Sequence, residues 1–549
     1  MATQATKATP TQDRPVNATY DRKGNPEWKS PMSPPDNSAA VVSMVPDRII
    51  PVIFVPGVMG SNLTCADEET RWLLDGAGTM LKSWRTVDAK ERKKLLVPDE
   101  CKVYDGGALP EGTAQSDEEL KRRGWGEVGA MSYAPFLVWL EHELNNFDNA
   151  GNGQRSALIA TLLGAEGEAA ITRDEVGLSY RYRLPVYACG YNWLQDNAIS
   201  AKRLAQRISE IRARYIRDKK MCDQVILVTH SMGGFVARYC IEHIAGMKEK
   251  VMGVVHGVMP TIGSGAVYRR MKAGTESDGS FAGKQTAEIL GGDAAEMTAV
   301  LSEAAGPLQL LPTPEYGADW LKIMDGDRVV LSLPKADGAG GIDPYSQIYA
   351  SRGQWWSMCE EDLINPLKPN HPEGSAEKKA QLDGDWLKFT KQMRRVKEFH
   401  QEIKEKYHPC SYAFYGDSDA FKAFGTVTWR RSGRIKPNQP EADPLQGLPL
   451  KGQLEDTRTV TTPVKDSNSY ARFQIQHFTL AGPDEPGDGT VPKRSGVALK
   501  ARMNATLKVS VGHEPAYKDS ELARQFTLQS IVHIAQGVSK TPLAYQDSK

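Results

Sequence analysis

Apolar residues along this chain come in short unbroken runs, set apart by polar stretches and by turns bearing glycine or proline. Ile49, Ile50 and Val52 to Val55 form the first run, and Pro56-Gly57 ends it. Leu184 to Cys189 form a second, Gln224 to Thr229 a third and Val251 to Val258 a fourth. Runs of this length predict strands buried on both faces. Between them the period changes. Leu204, Ile208, Ile211 and Tyr215 recur at helical spacing, with Arg and Glu elsewhere, which predicts a helix over about Ala198 to Ile216 with one apolar stripe. Tyr133 to Leu144 and Phe235 to His243 are further helix candidates. Strands alternating with helices over 49 to 260 predict a mainly parallel sheet covered by helices. Such sheets bind ligands beyond the carboxyl ends of their strands.

Outside that frame the pattern loosens. Residues 1–46 are rich in Thr, Pro, Asn, Ser and Asp and read as a flexible leader. Residues 64–130 are charged and irregular. From 262 to 410, glycine-rich stretches alternate with aromatic clusters such as Trp355-Trp356, and a charged helix from about Asp383 to Lys406 closes the segment. It reads as a cap over the active edge of the sheet. Tyr412 to Tyr415 predicts a return to the sheet. Residues 435–470 are polar and proline-rich and read as a surface insertion. Ala505 to Val511 predicts the last strand, and Ser520 to Ile534 a terminal helix. The expected order is therefore leader 1–46, core 47–261, cap 262–410 and a second core part 411–549.

Composition changes this picture little. The 549 residues are 40% hydrophobic and 25% charged, with 68 acidic and 68 basic side chains. That balance argues against nucleic acid as the main partner. No stretch approaches the apolar length of a membrane span. The leader lacks the apolar centre of a secretory signal, so synthesis as a soluble protein without a signal peptide is expected. The seven cysteines are scattered, none in a C-x-x-C pair, and read as reduced and structural.

The chemistry gathers around Val225 to Gly234. A β-branched strand runs into a small-residue turn with Ser231 at its apex, and a helix follows. This is the layout of a nucleophile elbow. Gly233 and Gly234 supply room, whereas Thr229 stands where glycine is usual. A serine in such a loop is often only a helix cap, so the reading needs a base and an acid. In hydrolases of this build the chain order is serine, acid, histidine. His513 follows the last predicted strand beside Gly512 and is the candidate base. His533 lies within the terminal helix, His477 precedes the acid, and His230 and His256 sit beside the elbow strand, where they could line the pocket. Asp488, between Gly487 and Gly489, is the candidate acid, with Asp417 and Asp419 as runners-up. Two backbone N–H groups must meet the developing oxyanion. Met232, after the nucleophile, and Val58, in the loop after the first strand, are the candidates.

With these residues in place, the chain resembles lipase-type α/β-hydrolases of the PGAP1-like and lecithin:cholesterol acyltransferase-like group. Phe54 to Ser61 is similar to that group's oxyanion loop, Thr229 to Gly234 to its elbow, Gly487 to Pro492 to its acid loop, and Leu310-Leu311-Pro312 to part of its cap region. More narrowly, Gly190-Tyr191-Asn192-Trp193, the large cap and the polar leader resemble bacterial lipase effectors of the type VI secretion system. The resemblance implies an α/β-hydrolase fold with a cap, and hydrolysis of glycerophospholipid acyl esters through Ser231, Asp488 and His513. It also implies no cofactor or metal, a membrane phospholipid substrate, a cognate immunity protein, contact with the secretion apparatus, and delivery to a target cell. Acyl transfer to an alcohol on the same triad, or a non-catalytic binding protein on a hydrolase scaffold, are the competing expectations.

Overall fold

In a computed structural model, residues 14–29, 40–42, 44–147, 152–276, 287–432, 442–465 and 471–545 are described. Twelve strands carry the argument: β1 (Val52–Val55), β2 (Val186–Ala188), β3 (Val225–His230), β4 (Val251–Gly257), β5 (Leu321–Asp325), β6 (Arg328–Leu333), β7 (Ser411–Gly416), β8 (Val427–Ser432), β9 (Leu448–Pro449), β10 (Thr457–Lys465), β11 (Ala471–Leu480) and β12 (Ala505–Val509). The helices needed are α1 (Ala130–Asn145), α2 (Asn197–Arg217), α3 (Gly233–His243), α4 (Ala376–Ile403) and α5 (Glu521–Ala535).

The main sheet has six strands in the order β2-β1-β3-β4-β7-β12, every neighbour parallel. Its central strands are buried along their whole length, which is why they appear in the sequence as continuous apolar runs. The pleat sends their side chains to two separate cores. Ile53, Val55 and Leu227 pack with α2 and α3, and the α2 stripe of Leu204, Ile208, Ile211 and Tyr215 closes that side. Val52, Phe54, Ile226 and Val228 pack with α1 and α5 on the other. The expected helix at 198–216 starts one residue earlier, because the Asp196 carboxylate caps it through the Ala198 N–H. The register sets Thr229 beside Val55 and beside His256, so the strand ends that carry chemistry lie level.

The second sheet runs β6-β5-β8-β11-β10-β9, with only β5 and β8 parallel. It changes two expectations. The cap is not confined to 262–410: the chain returns to the main sheet at β7 and leaves again through β8, β10 and β11. The polar stretch at about 435–470 is also not simply a surface insertion. Its described part holds β9 and β10, and Val460, Arg458 and Thr462 are buried there; 433–441 and 466–470 lie outside the described residues. The chain is polar here because the sheet's inner face is hydrogen-bonded. Gln476 Nε2 donates to Thr462 Oγ1 at 2.7 Å and to the Asp443 carbonyl at 3.1 Å.

The leader also departs from expectation where it is described. Ala18–Tyr20 pairs with Pro26–Trp28 as a hairpin. Three arginines grip its turn: Arg122 and Arg214 donate to the Arg22 and Lys23 carbonyls at 2.6 Å each, and Arg183 to that of Gly24 at 2.9 Å. Composition concealed this, because the anchoring groups lie on the core and bind mostly backbone, with Arg183 also over the Tyr20 ring. The remainder of the leader (1–13, 30–39 and 43) lies outside the described residues. Among the described residues no helix is long and apolar enough to cross a membrane.

Candidate active site

β3 carries the chain to the centre of the sheet's carboxyl edge, and α3 leaves at once from Gly233. The junction forces Ser231 to φ +51°, a left-handed conformation rare for a residue with a side chain and common at functional sites. Backbone contacts hold it there: the Ser231 N–H donates to the Gly257 carbonyl at 2.9 Å, and the Gly234 N–H to the Ser231 carbonyl at 3.0 Å. The helix passes so near β1 that a Cβ at residue 233 would collide with the Val55 and Pro56 carbonyl oxygens. Glycine is required there by contact, not by φ. Thr229 is tolerated in place of the usual glycine because its side chain turns into the sheet, where Oγ1 meets His256 Nδ1 at 2.9 Å.

Two loops, whose site residues lie 25 apart in the chain, complete the site. After β12 the chain turns through Gly512 and presents His513, whose Nε2 lies 2.8 Å from Ser231 Oγ. Its Nδ1 lies 2.8 Å from Asp488 Oδ2. A carboxylate only accepts, so the proton sits on Nδ1, and Nε2 is free to accept the serine O–H. Asp488 is itself fixed. Its Oδ1 accepts the Thr490 and Val491 N–H groups at 3.0 and 2.7 Å, and its carbonyl accepts the His513 N–H at 2.7 Å. Gly489 makes the tight loop possible at φ +92°. The structure therefore brings Ser231, His513 and Asp488 together. Asp417 is held instead by Lys493 at 2.8 Å, and Asp419 is exposed. His533 bonds Glu175 and the Ala169 carbonyl, and His477 bonds Thr459 in the second sheet.

Met232 follows the serine directly, and Val58 follows Gly57 in the loop after β1. Met232 is the residue before α3, and the loop of Val58 presses on the elbow: a Cβ at Gly57 would stand 3.0 Å from Ser231 Cβ and 2.8 Å from His230 Nδ1. Among the described residues neither the Val58 nor the Met232 N–H donates to a backbone carbonyl.

Sequence reasoning left Tyr133 unremarked. From α1 its hydroxyl accepts the Gly57 N–H at 3.3 Å and meets His230 Nδ1 at 3.0 Å. Burial above all pushes the His230 imidazole down to about 3, so it is neutral. Tyr133 must then donate to Nδ1, and His230 Nε2–H donates to the His513 carbonyl at 2.9 Å. One chain of hydrogen bonds thus joins the loop of Val58 to the backbone of His513. Nothing in the spacing of α1 could have signalled it, because Tyr133 reads as one more apolar position. Among the described residues no group of three or more His, Cys, Asp or Glu is arranged to hold a metal ion.

A PGAP1-like alpha/beta domain matches residues 193–268, the stretch that contains the elbow. The solved structure of the Tle4-Tli4 complex aligns over 89% of this chain and 98% of that one, at 26% identity and a TM-score of 0.68. The chain has the α/β-hydrolase fold. Its sheet order, elbow and loop positions are those of hydrolytic enzymes. Aspergillus fumigatus lipase B, at 11% identity over 66% of this chain and 64% of its own, has a TM-score of 0.20. Phospholipase PlaB from Legionella pneumophila, at 10% over 78% and 81%, has one of 0.19. Both likenesses are too slight to bear on the fold. No curated protein matches.

Proposed function

We propose that this α/β hydrolase is a lipolytic serine esterase that cleaves the acyl esters of glycerophospholipids. The observation that carries the reading is the run of two 2.8 Å contacts from Ser231 Oγ through His513 to Asp488, at the carboxyl edge of a parallel sheet. Ser231 Oγ attacks the ester carbonyl carbon while His513 Nε2 takes its proton. Asp488 holds the imidazole in the productive tautomer and stabilises the imidazolium. The Val58 and Met232 N–H groups receive the oxyanion. His513 returns the proton to the departing alcohol, and water then releases the fatty acid from the acyl-enzyme by the same steps.

Ser231 is only 3% exposed, so a lipid ester reaches it after the cap shifts. The cap is tied to the acid loop by a contact that can break: Ser264 Oγ donates to the Thr490 carbonyl at 2.6 Å. Closure of this kind keeps water away from the acyl-enzyme until the substrate is seated. The likeness to Tle4, whose structure is that of a complex with Tli4, supports a dedicated protein partner that binds and silences the enzyme. It also supports export by a type VI apparatus into a target cell, whose membrane phospholipid is the substrate.

The test is incubation of the purified protein with phosphatidylglycerol–phosphatidylethanolamine vesicles, reading free fatty acid and lysolipid. Release by the wild type and none by Ser231→Ala supports the proposal. Equal release by both removes the nucleophile, and absence of release with hydrolysis of short soluble esters removes the lipid substrate.

A further inference from the structure

The strand that leaves the loop of Val58, Leu63–Thr64, lies between Arg71–Trp72 and Lys102–Val103, antiparallel to both. Leu63 stands opposite Val103 and Thr64 opposite Lys102, so the next rung sets Cys65 opposite Cys101. The Cys65 N–H turns the other way, to the Thr70 carbonyl at 2.9 Å. Cys65 and Cys101 therefore face each other as a non-hydrogen-bonded antiparallel pair. There the Cα atoms approach to about 4.5 Å, inside the roughly 4.4–6.8 Å that a disulfide spans. Both residues are buried and both are free thiols. The Cys101 thiol donates to the Leu95 carbonyl at 3.3 Å.

Their surroundings connect this rung to the site. The Cys101 carbonyl accepts Asn192 Nδ2 at 2.9 Å, within the Gly190 to Trp193 turn. Three residues before Cys65, the Asn62 carbonyl accepts the Tyr104 N–H at 2.9 Å. A bond between the two sulfurs would fasten the strand leaving the oxyanion loop to the segment that holds that turn.

We propose that Cys65 and Cys101 are a disulfide-forming pair, closed by thiol–disulfide exchange when the chain enters an oxidising compartment. The oxidant is a low-molecular-weight or protein disulfide. Cys101 loses its proton, and its thiolate attacks one sulfur of the oxidant and expels the other as a thiolate. Cys65 then loses its proton and attacks the Cys101 sulfur of the mixed disulfide, expelling the second thiolate. Two protein thiols are oxidised and one external disulfide is reduced, with two protons released. The cross-link joins residues 36 apart in sequence, so it also restricts the unfolded chain.

The full chain is equilibrated in glutathione buffers from fully reduced to fully oxidised, just below its melting midpoint so that the hairpin opens. It is then alkylated, digested and read by mass spectrometry. The expected result is loss of two of the seven thiols, a single cross-linked peptide joining Cys65 to Cys101, and a melting midpoint raised by a few degrees. Cys65→Ala and Cys101→Ala each abolish the peptide and the rise. Seven alkylated thiols in oxidised buffer, or a cross-link through any other pair such as Cys189 and Cys240, would overturn the proposal.

Discussion

The two six-stranded sheets share one apolar core but differ in how much polarity they turn inward. The main sheet buries apolar side chains on both faces, and its helices pack on each side. The second sheet turns part of its polarity inward. Arg458, Thr462 and Gln476 are buried, while Phe473 is 72% and Ile475 61% exposed on the other face of β11. Arg458 donates to the Glu455 carbonyl and, with Lys272, holds Glu360. One sheet is held mainly by area removed from water, at about 25 cal/mol per Å². The other also buries Ile323, Trp429, Val460 and Phe478, and adds hydrogen bonds among inward polar groups, each of which would cost about 1–3 kcal/mol if left alone. Rigid apolar packing suits the strands that carry Ser231 and lead to His513. A partly exposed sheet with inward polar groups suits the cap movement proposed for substrate entry.

The largest effect should come from the apolar sheet's edge. Ser231→Ala is expected to lower turnover about a millionfold with an unchanged melting midpoint; a stopped assay with p-nitrophenyl esters and a thermal scan read both. Asp488→Asn should cost about ten-thousandfold in kcat by leaving His513 in the wrong tautomer. Asp417→Asn should stay within about tenfold, and the reverse ranking in the same assay would transfer the acid role to the residue held by Lys493.

Acid tests the main sheet's buried histidines. His230 and His256 are each pushed from 6.5 to about 3 by burial, the second also by Arg238. Both are neutral when folded, whereas the unfolded chain takes up protons below pH 6.5. Stability should therefore be flat above pH 7. Below pH 6.5 it should fall by about 1.4 kcal/mol per pH unit for each histidine, down to about pH 3. Urea midpoints across that range should show a His256→Asn variant losing one histidine's share of the slope, about 1.4 kcal/mol per pH unit, while His230, His400 and His408 keep theirs.

Smaller effects probe the second sheet and the link behind the serine. Arg458→Met removes a buried cation from Lys272, Glu360 and two carbonyls and should cost about 3 kcal/mol, whereas Leu448→Ala on the exposed outer face should cost less than about 0.5 kcal/mol; equal losses in urea unfolding would erase the contrast between the faces. Tyr133→Phe leaves the Gly57 N–H and His230 Nδ1 without a partner. It should cost about 1–3 kcal/mol of stability and lower kcat more than it raises KM, as expected of a positioning residue.

What could be read in the sequence follows the same division. Ile53, Leu227 and Val254 announced their strands because burial on both faces leaves only apolar residues. Gly233, Ser231 and the Gly487 to Gly489 loop announced themselves because a turn that tight admits few side chains. The second sheet hid in a polar, proline-rich stretch, because its inward residues are satisfied by partners that the sequence does not display, such as the Gln446 carbonyl on Thr462 Oγ1 at 2.6 Å. The leader hairpin hid for the same reason.

The sequence by itself determined the alternation of strands and helices, the elbow, and a short list of a serine, acids and a histidine chemically able to act together, with Asp488 ahead of Asp417 and Asp419. Only tertiary structure decided that His513 reaches across 282 residues to Ser231, that Tyr133 and His230 join its backbone to the loop of Val58, and that a second sheet is laid down in two visits. Local patterning fixes what a residue can do and where backbone can bend. Which distant groups meet is set by how whole elements pack, and no single segment of the chain records that.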